Sequence, residues 1–331
     1  MRNSASILFT LIVVVFCASQ QAAAQKWQNA DTLLPETKKA IHNYVETYEP
    51  TALMVISDGK VVESHGDVAR LVNAASVRKS FLGALYGIAV AEGKINLDNT
   101  LAQLKIDDKP PLTPTEKTAT VRDLLKARSG IYHRAAHETA DMRRRRPERG
   151  SHAPGSFWFY NNWDFNALGT IYREKTGEDI FESFTQHIAT PLDMQDYATA
   201  NGRYVLEKHS VHPAYTFRMS ARDMARFGSL YLNDGQWQGK QIVPAAWVQE
   251  SLTPHSATGR GRFGYGYLWW TLNPDNFGPG AAVASGYGGQ RIAVIPARKM
   301  VIVQTVANTR TGSIRTSHFV ALLRQIAGNA P

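Results

Sequence analysis

The clearest absence in this chain of 331 residues is cysteine, which occurs once, at Cys17. We expect Cys17 to lie in a removed N-terminal segment, so the mature chain would contain no cysteine. Such a chain forms no disulfide, holds no cysteine-ligated zinc and has no thiol nucleophile. This excludes the small disulfide-stapled secreted folds and every cysteine-dependent class of enzyme.

Long apolar runs are also scarce. The run Ile7–Ala18 is too short to span a bilayer as a helix, and no other is long enough. Arg2 before it and the small residues Ala22–Ala24 after it are typical of a signal peptide with its cleavage site. We predict a signal peptide over residues 1–24 and a periplasmic or secreted mature protein over residues 25–331; the alternative is a retained membrane anchor.

Acidic residues are outnumbered, since 37 Lys and Arg against 28 Asp and Glu give a formal net charge of +9. A basic protein favours anionic partners, and an exported one meets cell wall and membrane surface before nucleic acid. We expect no nucleic-acid partner and retain the cell wall as a candidate. The run Arg143–Arg146 predicts a mobile, solvated loop; the alternative is an electropositive rim for an anionic substrate.

Hydrophobic patterning predicts strands near both ends of the chain and helices between them. The predicted strands are Thr51–Ser57, Lys60–Ser64, Tyr265–Trp270, Arg291–Pro296 and Met300–Val306. The predicted helices are Pro35–Tyr48, Ser76 to near Gly93, Val121–Leu125, Asp164–Lys175, Phe181–Ile188, Ser220–Asp234, one around Trp247, and Ser317–Ile326.

This order predicts an α+β fold, in which an antiparallel sheet built from both ends is flanked by helices and carries an inserted, mostly helical region. We assign the sheet-bearing part to about residues 35–98 and 206–331, and the insertion to about residues 99–205. A site would lie in the cleft between them.

The stretch Asn73–Leu85 predicts the start of a buried helix, because small residues precede Ser76 and apolar residues follow on nearly all faces. Ser76 and Lys79 are three residues apart, so their side chains share one face of the first turn. A desolvated lysine has a lowered pKa and can accept the serine proton. The S-x-x-K spacing thus predicts a nucleophile and its base; the alternative is a helix cap with a surface lysine.

Two further stretches carry groups that would complete such a site. In Pro154–Asn162, the phenol of Tyr160 could relay a proton from a loop, and the amide of Asn162 could hold a substrate carbonyl or the lysine. In Ser285–Gln290, glycines let a substrate approach the backbone, and a strand-edge N–H can serve as an oxyanion donor. Taken singly, the first stretch also fits an aromatic loop plug with an asparagine helix cap, and the second also fits an ordinary glycine turn.

With the three motifs in this order, the chain resembles the serine β-lactamase and penicillin-binding-protein superfamily. It looks most like the class C-like branch, which includes family VIII carboxylesterases, D-amino-acid peptidases and aminohexanoate-oligomer hydrolases. The resemblance covers roughly Thr51–Ile326 and implies a β-lactamase/transpeptidase-like fold, with no metal or cofactor. It also implies site roles: Ser76 as acylated nucleophile, Lys79 as its base partner, Tyr160 and Asn162 as the Y-x-N motif, Tyr287, Gly288 and Gly289 as the third motif, and the backbone N–H groups of Ser76 and Gln290 as the oxyanion hole.

The third motif departs from the superfamily pattern, because Tyr287 replaces its basic residue and Gly288 removes its threonine hydroxyl. Those groups help to hold the carboxylate of β-lactams and D-Ala-D-Ala peptides, and Arg291 could replace them only if it points into the site. We therefore predict an exported serine hydrolase that acts through an acyl-enzyme on small esters or amides, and we expect its partner to be a small-molecule ester, amide or peptide substrate. The alternatives are a β-lactamase or D,D-peptidase and a non-catalytic cell-wall-binding scaffold.

Overall fold

The computed structural model describes residues 27–259, 263–307 and 312–327. The predicted signal peptide lies within residues 1–26, outside the described part, so its presence and cleavage stay predictions. In the three described ranges, no helix is both long enough and apolar enough to cross a membrane.

Helices and strands follow one another along the whole described chain. The helices are α1 (Pro35–Tyr48), α2 (Arg78–Ala91), α3 (Leu101–Leu104), α4 (Val121–Leu125), α5 (Ala140–Arg145), α6 (Asn162–Thr176), α7 (Ile180–Phe184), α8 (Ala221–Leu232), α9 (Ala245–Leu252), α10 (Pro274–Phe277) and α11 (Thr316–Ala327). The strands are β1 (Ala52–Ser57), β2 (Lys60–Gly66), β3 (Val72–Asn73), β4 (Gly202–Val205), β5 (Ala214–Met219), β6 (Gln236–Trp237), β7 (Lys240–Gln241), β8 (Ser256–Ala257), β9 (Gly264–Tyr265), β10 (Trp270–Thr271), β11 (Ala282–Ser285), β12 (Arg291–Ile295) and β13 (Met300–Thr305).

The main antiparallel sheet joins both ends of the described chain, which confirms the predicted α+β fold. Its strands run in the order β2-β1-β13-β12-β11-β10-β9-β8. β1 and β2 form a hairpin around Asp58 and Gly59, whose φ angles of 48° and 76° suit a two-residue turn. β12 and β13 form a second hairpin, and β13 pairs with β1, so the C-terminal strands close onto the N-terminal ones.

Alternating side chains of the central strands build two hydrophobic cores, one on each face of the sheet. Met54 and Val303 belong to the core that contains α2 and α8. Leu53 and Ile302 belong to the core that contains α1 and α11. The helix α2 also contacts α6, α7 and α9, which explains why it is apolar and buried on nearly every face.

Close packing on α2 depends on glycine. A Cβ atom at Gly87 would lie 2.4 Å from Cδ1 of Trp247 in α9, and the indole Nε1 donates to the Gly83 carbonyl at 2.8 Å. The indole thus packs directly on the helix backbone and fixes the orientation of α2.

The segment Tyr265–Trp270 is not the single strand that its alternating pattern predicts. β9 and β10 pair with each other across a turn, in which the Gly266 N–H donates to the Trp269 carbonyl at 2.9 Å. Tyr267 and Trp269 are both buried within this turn. The alternating aromatic residues of this segment are therefore explained by a turn that is buried in the core, and not by one continuous strand.

Two helical predictions also change in detail. Phe181–Ile188 divides into α7 and a π-helical turn over Thr185–Ala189. α6 begins at Asn162 instead of Asp164, because the Asn161 side chain accepts the Asp164 N–H and so caps the helix two residues earlier. Asn162 is therefore the first residue of a helix and not part of the preceding loop.

Candidate active site

The first motif places a serine hydroxyl beside a buried lysine. Ser76 lies in the 3-10 turn Ala75–Val77 that leads into α2, and Lys79 Nζ lies 2.8 Å from Ser76 Oγ. Lys79 is only 1% exposed. Burial, and after it the charge of Arg78, hold the pKa of Lys79 well below its usual value. The lysine is thereby biased toward the neutral form that can accept a proton.

Arg78 is itself a buried cation beside this lysine. Its guanidinium carbon lies 4.2 Å from the ring centroid of Tyr215, and Nη2 donates to Asn166 Oδ1 at 3.2 Å. In the described parts of the chain no carboxylate forms an ion pair with Arg78. Its unneutralised charge disfavours a second positive charge on Lys79. Sequence reasoning missed this role, although the residue stands next to Lys79 in the motif.

Tyr160 reaches the lysine from the loop before α6. The ring centroids of Tyr160 and Phe165 each lie 4.8 Å from Lys79 Nζ. The loop is anchored by its backbone, since the Phe159 N–H donates to the Ala127 carbonyl at 2.9 Å. The phenol of the second motif is thus held next to the serine–lysine pair.

A buried carboxyl group supports this loop from behind. Asp164 Oδ1 accepts from Ser129 Oγ at 2.5 Å and from Asn161 Nδ2 at 3.1 Å, while Oδ2 is buried without a hydrogen-bond partner. Burial raises the pKa of Asp164 to about 8, against the opposing effect of these hydrogen bonds. The group therefore links the stretch containing Ser129 to the start of α6 as a neutral acid at neutral pH.

Asn162 makes different contacts from those expected. Its Nδ2 donates to the carbonyls of Ala136 and His137, at 3.3 and 2.6 Å. Its Oδ1 is buried and has no hydrogen-bond partner in the described structure. The amide nitrogen thus holds the 136–137 loop instead of the lysine, and only the oxygen remains for another group.

The third motif packs against the first. A Cβ atom at Gly286 would lie 2.6 Å from the Ala74 carbonyl oxygen, so this approach requires glycine. Tyr287 follows with two-thirds of its surface exposed, in a 3-10 turn over Tyr287–Gly289. The motif therefore lies in the turn between β11 and β12 and leads directly into β12, the strand predicted to begin at Arg291.

Gly289, the last residue of the turn, and Gln290, which follows it, are both buried. The Gly289 carbonyl accepts from Gln304 Nε2 at 2.8 Å. The Gln290 side chain both donates to the Val306 carbonyl and accepts its N–H, at 2.7 and 3.0 Å. These side-chain contacts fix the backbone of Gln290 in place, so only its main chain is available for an oxyanion.

Arg291 points inward and lines the cleft. Its Nη1 donates to the carbonyls of Gly286 and Gln290, and Nη2 donates to Thr316 Oγ1 at 2.8 Å. Burial lowers the pKa of Arg291 to about 10, so it remains charged at neutral pH. The described residues offer it no carboxylate partner, and its buried Nε has no acceptor.

The motifs meet around one cleft of about 460 Å³. Ser76, Tyr160, Tyr287 and Gly288 all line it, and Lys79 contacts Ser76 from within the protein core. Ser285, from the same predicted stretch as Tyr287, also lines the cleft. Sequence reasoning missed the rest of the wall, whose members come from distant segments: Thr139, Asp141, Met142, Phe263, Trp270, Val283, Ser313, Ile314, Arg315 and Thr316. Aromatic and aliphatic side chains thus surround a polar centre.

The arginine run forms part of a short helix at the rim, which corrects the predicted loop. Arg143–Arg145 close α5, whose N-cap Thr139 accepts the Met142 N–H. Asp141 pairs with two of these arginines, and Arg146 pairs with Glu138. The cap and the pairing order the segment. Because exposed pairs contribute about 0–1 kcal/mol each, we still predict a small role for the exposed arginines in stability.

Comparison with known proteins gives the family. The model of the beta-lactamase family matches residues 39–323, so the chain belongs to that family. A putative 6-aminohexanoate-dimer hydrolase from Bacillus anthracis is similar in structure, with a TM-score of 0.70 and 20% sequence identity over 91% of this chain and 86% of that chain. A class C beta-lactamase gives a TM-score of 0.62 and 17% identity over 88% of this chain and 94% of that chain.

A curated relative is also similar in sequence over most of this chain. An uncharacterized protein of Alkalihalophilus pseudofirmus is 23% identical over 257 residues, which are 70% of this chain and 72% of that protein. At these identities the structural likeness establishes the fold. Together with the family match, it places the chain among the serine hydrolase-type proteins with the β-lactamase fold, as the motifs predicted.

Proposed function

We propose that this protein is an exported serine hydrolase that acts through an acyl-enzyme on small esters or amides. The observation that carries the proposal is the 2.8 Å contact between Ser76 Oγ and the Nζ of a lysine that burial keeps toward its neutral form. A hydroxyl with an adjacent neutral amine is the arrangement that nucleophilic catalysis requires.

The proposed reaction begins when Ser76 Oγ attacks the substrate carbonyl carbon and its proton passes to Lys79 Nζ. Backbone N–H groups of Ser76 and Gln290 stabilise the tetrahedral oxyanion. When the intermediate collapses, the bond to the alkoxide or amine breaks, and the leaving group takes a proton from Lys79 by way of Tyr160. Water then attacks the acyl carbonyl, loses a proton to the same pair, and releases the acid and free Ser76.

The third motif favours neutral substrates over β-lactams. A bound carboxylate must be desolvated, and a buried unpaired charge costs several kcal/mol. Tyr287 and Gly288 offer at most one neutral hydrogen bond, worth about 1 kcal/mol net. A neutral ester avoids this cost and gains apolar contact with Phe263 and Trp270, which line the cleft.

One observation keeps a β-lactamase or D,D-peptidase activity as the second candidate. The charged guanidinium of Arg291 lines the cleft, with Nε unpaired. The similar solved structures include a protein described as a class C beta-lactamase. A substrate carboxylate that reached Arg291 would recover part of the binding that the third motif lacks.

The first test asks whether the protein is a serine hydrolase at all. A fluorophosphonate probe should label Ser76 in the wild-type protein, and Ser76→Ala should abolish both labelling and turnover with an unchanged circular dichroism spectrum. An acyl adduct on the Ser76→Ala protein, detected by intact mass, would contradict the assigned nucleophile. Wild-type protein that never labels would favour the non-catalytic scaffold.

The second test compares kcat/KM for p-nitrophenyl butyrate and nitrocefin, with D-amino-acid amides as a third class. We expect the ester to be the better substrate. Arg291→Lys keeps the charge and serves as the control for Arg291→Ala, which also frees the carbonyls of Gly286 and Gln290. A nitrocefin preference that Arg291→Ala abolishes and Arg291→Lys retains would establish the second candidate instead.

Export is tested separately. The N-terminal sequence of protein recovered from the periplasm or medium should begin near Gln25. Recovered protein that begins at Met1 would contradict cleavage and support a retained anchor.

A further inference from the structure

A cluster of metal-ligating side chains lies at the β2 edge of the sheet, away from the strands β10, β11 and β12 that line the cleft. Glu63 and His65 are two residues apart on the edge strand β2 and therefore face the same side. Their cross-strand partners are Val55 and Leu53, both part of the core beneath α1 and α11. Glu63 and His65 thus point toward the helical layer that covers this face.

The third member comes from α1. His42 follows Ile41, which is buried in the same core, so the helix presents His42 at the sheet edge. Glu63 Oε2 lies 2.8 Å from His65 Nε2 and 3.7 Å from His42 Nε2. The ligand atoms of all three residues lie within 4.8 Å of one another. The two imidazole rings meet edge to face, with centroids 5.1 Å apart.

We propose that His42, Glu63 and His65 form a binding site for a divalent transition metal of the zinc type. Tetrahedral zinc with bonds of about 2.0–2.2 Å separates its ligand atoms by about 3.3–3.6 Å. The two distances to Glu63, 2.8 and 3.7 Å, lie on either side of that range, and the ligand atoms of the two imidazoles lie within 4.8 Å of each other, so side-chain rotations can close the site. His42 is 55% exposed, which leaves it free to adjust and leaves water to complete the coordination.

The ligand set determines which ions fit. Two imidazole nitrogens and one carboxylate suit zinc, copper or nickel, whereas magnesium and calcium prefer all-oxygen ligands. β1 and β13 lie between this strand and β12, the strand that follows the third motif, so the metal takes no part in the proposed hydrolysis. The metal would instead join α1 to the edge of the sheet. Because the site exists only in the folded chain, metal binding would stabilise the folded state against unfolding.

The test uses the tag-free mature chain after treatment with a chelator. Titration calorimetry with ZnCl₂ should give one ion per chain, and the melting temperature should rise saturably with ZnCl₂ but not with MgCl₂. His42→Ala should weaken binding about 10-fold or more and remove the thermal shift. Glu63→Gln, which keeps the shape of the side chain, should do the same.

His187 provides a matched control, because its Nε2 lies 3.3 Å from Glu178 Oε2, so it also forms a histidine–glutamate pair. Within the described residues, this pair has no third metal-ligating side chain close enough to complete a site. His187→Ala should bind zinc as the wild type does. The proposal is overturned if the wild-type chain shows no saturable zinc binding, or if His42→Ala and Glu63→Gln both retain wild-type affinity. Loss of binding in His187→Ala alone would likewise overturn it by placing the zinc elsewhere.

Discussion

Replacing Asp164 by asparagine should change how the stability of the protein depends on pH. In the folded protein, burial raises the pKa of Asp164 from 3.8 to about 8. A proton is therefore lost more readily from the unfolded chain, and the free energy of unfolding falls as pH rises from about 4 to about 8. The stability associated with the protonated carboxyl is fully present at low pH and is lost as pH passes through the folded pKa.

The size of the effect follows from the two pKa values. One pKa unit corresponds to about 1.4 kcal/mol, so between pH 5 and pH 8 ionisation of this group alone lowers the free energy of unfolding by about 4 kcal/mol. The amide introduced by Asp164→Asn cannot ionise. Its nitrogen would occupy the place of the unpartnered Oδ2 and cost about 1–3 kcal/mol at every pH. The variant should therefore gain about 4 kcal/mol relative to wild type across this range.

Urea unfolding of both proteins at several pH values measures this difference directly. Subtracting one curve from the other removes the contribution of the histidines, which titrate in both proteins. Parallel curves between pH 5 and pH 8 would refute the reasoning, because they would mean that Asp164 is already ionised in the folded state. Over the same pH range, ionisation of Asp164 should change the kcat of the wild type on an accepted ester proportionately less than it changes the free energy of unfolding. The reason is that Asp164 supports the Tyr160 loop and does not contact the substrate.

Two further predictions concern α2. After burial, the charge of Arg78 is the second cause that lowers the pKa of Lys79, so Arg78→Met should raise that pKa. Because Lys79 must be neutral to accept the serine proton, the acid limb of the pH profile of kcat/KM should then move to higher pH. A limb at the unchanged pH would contradict this. Gly87→Ala should lower the free energy of unfolding, measured in urea, by about 1–3 kcal/mol, because the new methyl group would overlap Trp247. Gly83→Ala is the control, since its methyl group would meet its nearest neighbour at an ordinary 3.6 Å and should not destabilise the protein in this way. Equal effects of the two substitutions would exclude the overlap as the cause.

The features that sequence could predict are those governed by local spacing. Alternation along β1 and β13 follows from a period of two, so the sheet and its two-faced packing could be derived from residues such as Leu53 and Met54. The three-residue spacing of Ser76 and Lys79 likewise determines their contact once a helical turn forms. The order of the motifs and their resemblance to a known superfamily supplied the rest of the fold.

The features that sequence could not predict depend on contacts between distant segments. Nothing near Asn162 indicates that its amide would bind carbonyls some 25 residues earlier in the chain. The partners of Asp164 include Ser129, from a different element. The aromatic alternation around Tyr267 is as regular as that of a strand, yet the core that buries it is formed by other parts of the chain.

Arg291 shows how such a contact bears on substrate class. The third motif has Tyr287 where the superfamily that the sequence resembles has a basic residue. A positive charge nevertheless lies beside the motif, because Arg291 Nη1 donates to the carbonyls of Gly286 and Gln290. That charge therefore maintains the turn that carries the proposed oxyanion donor. An anionic substrate would have to draw on the unpaired Nε or compete with Thr316 for Nη2, whereas a neutral ester leaves the turn undisturbed. Anionic substrates should thus be disfavoured mainly in KM, through the cost of rearranging these contacts.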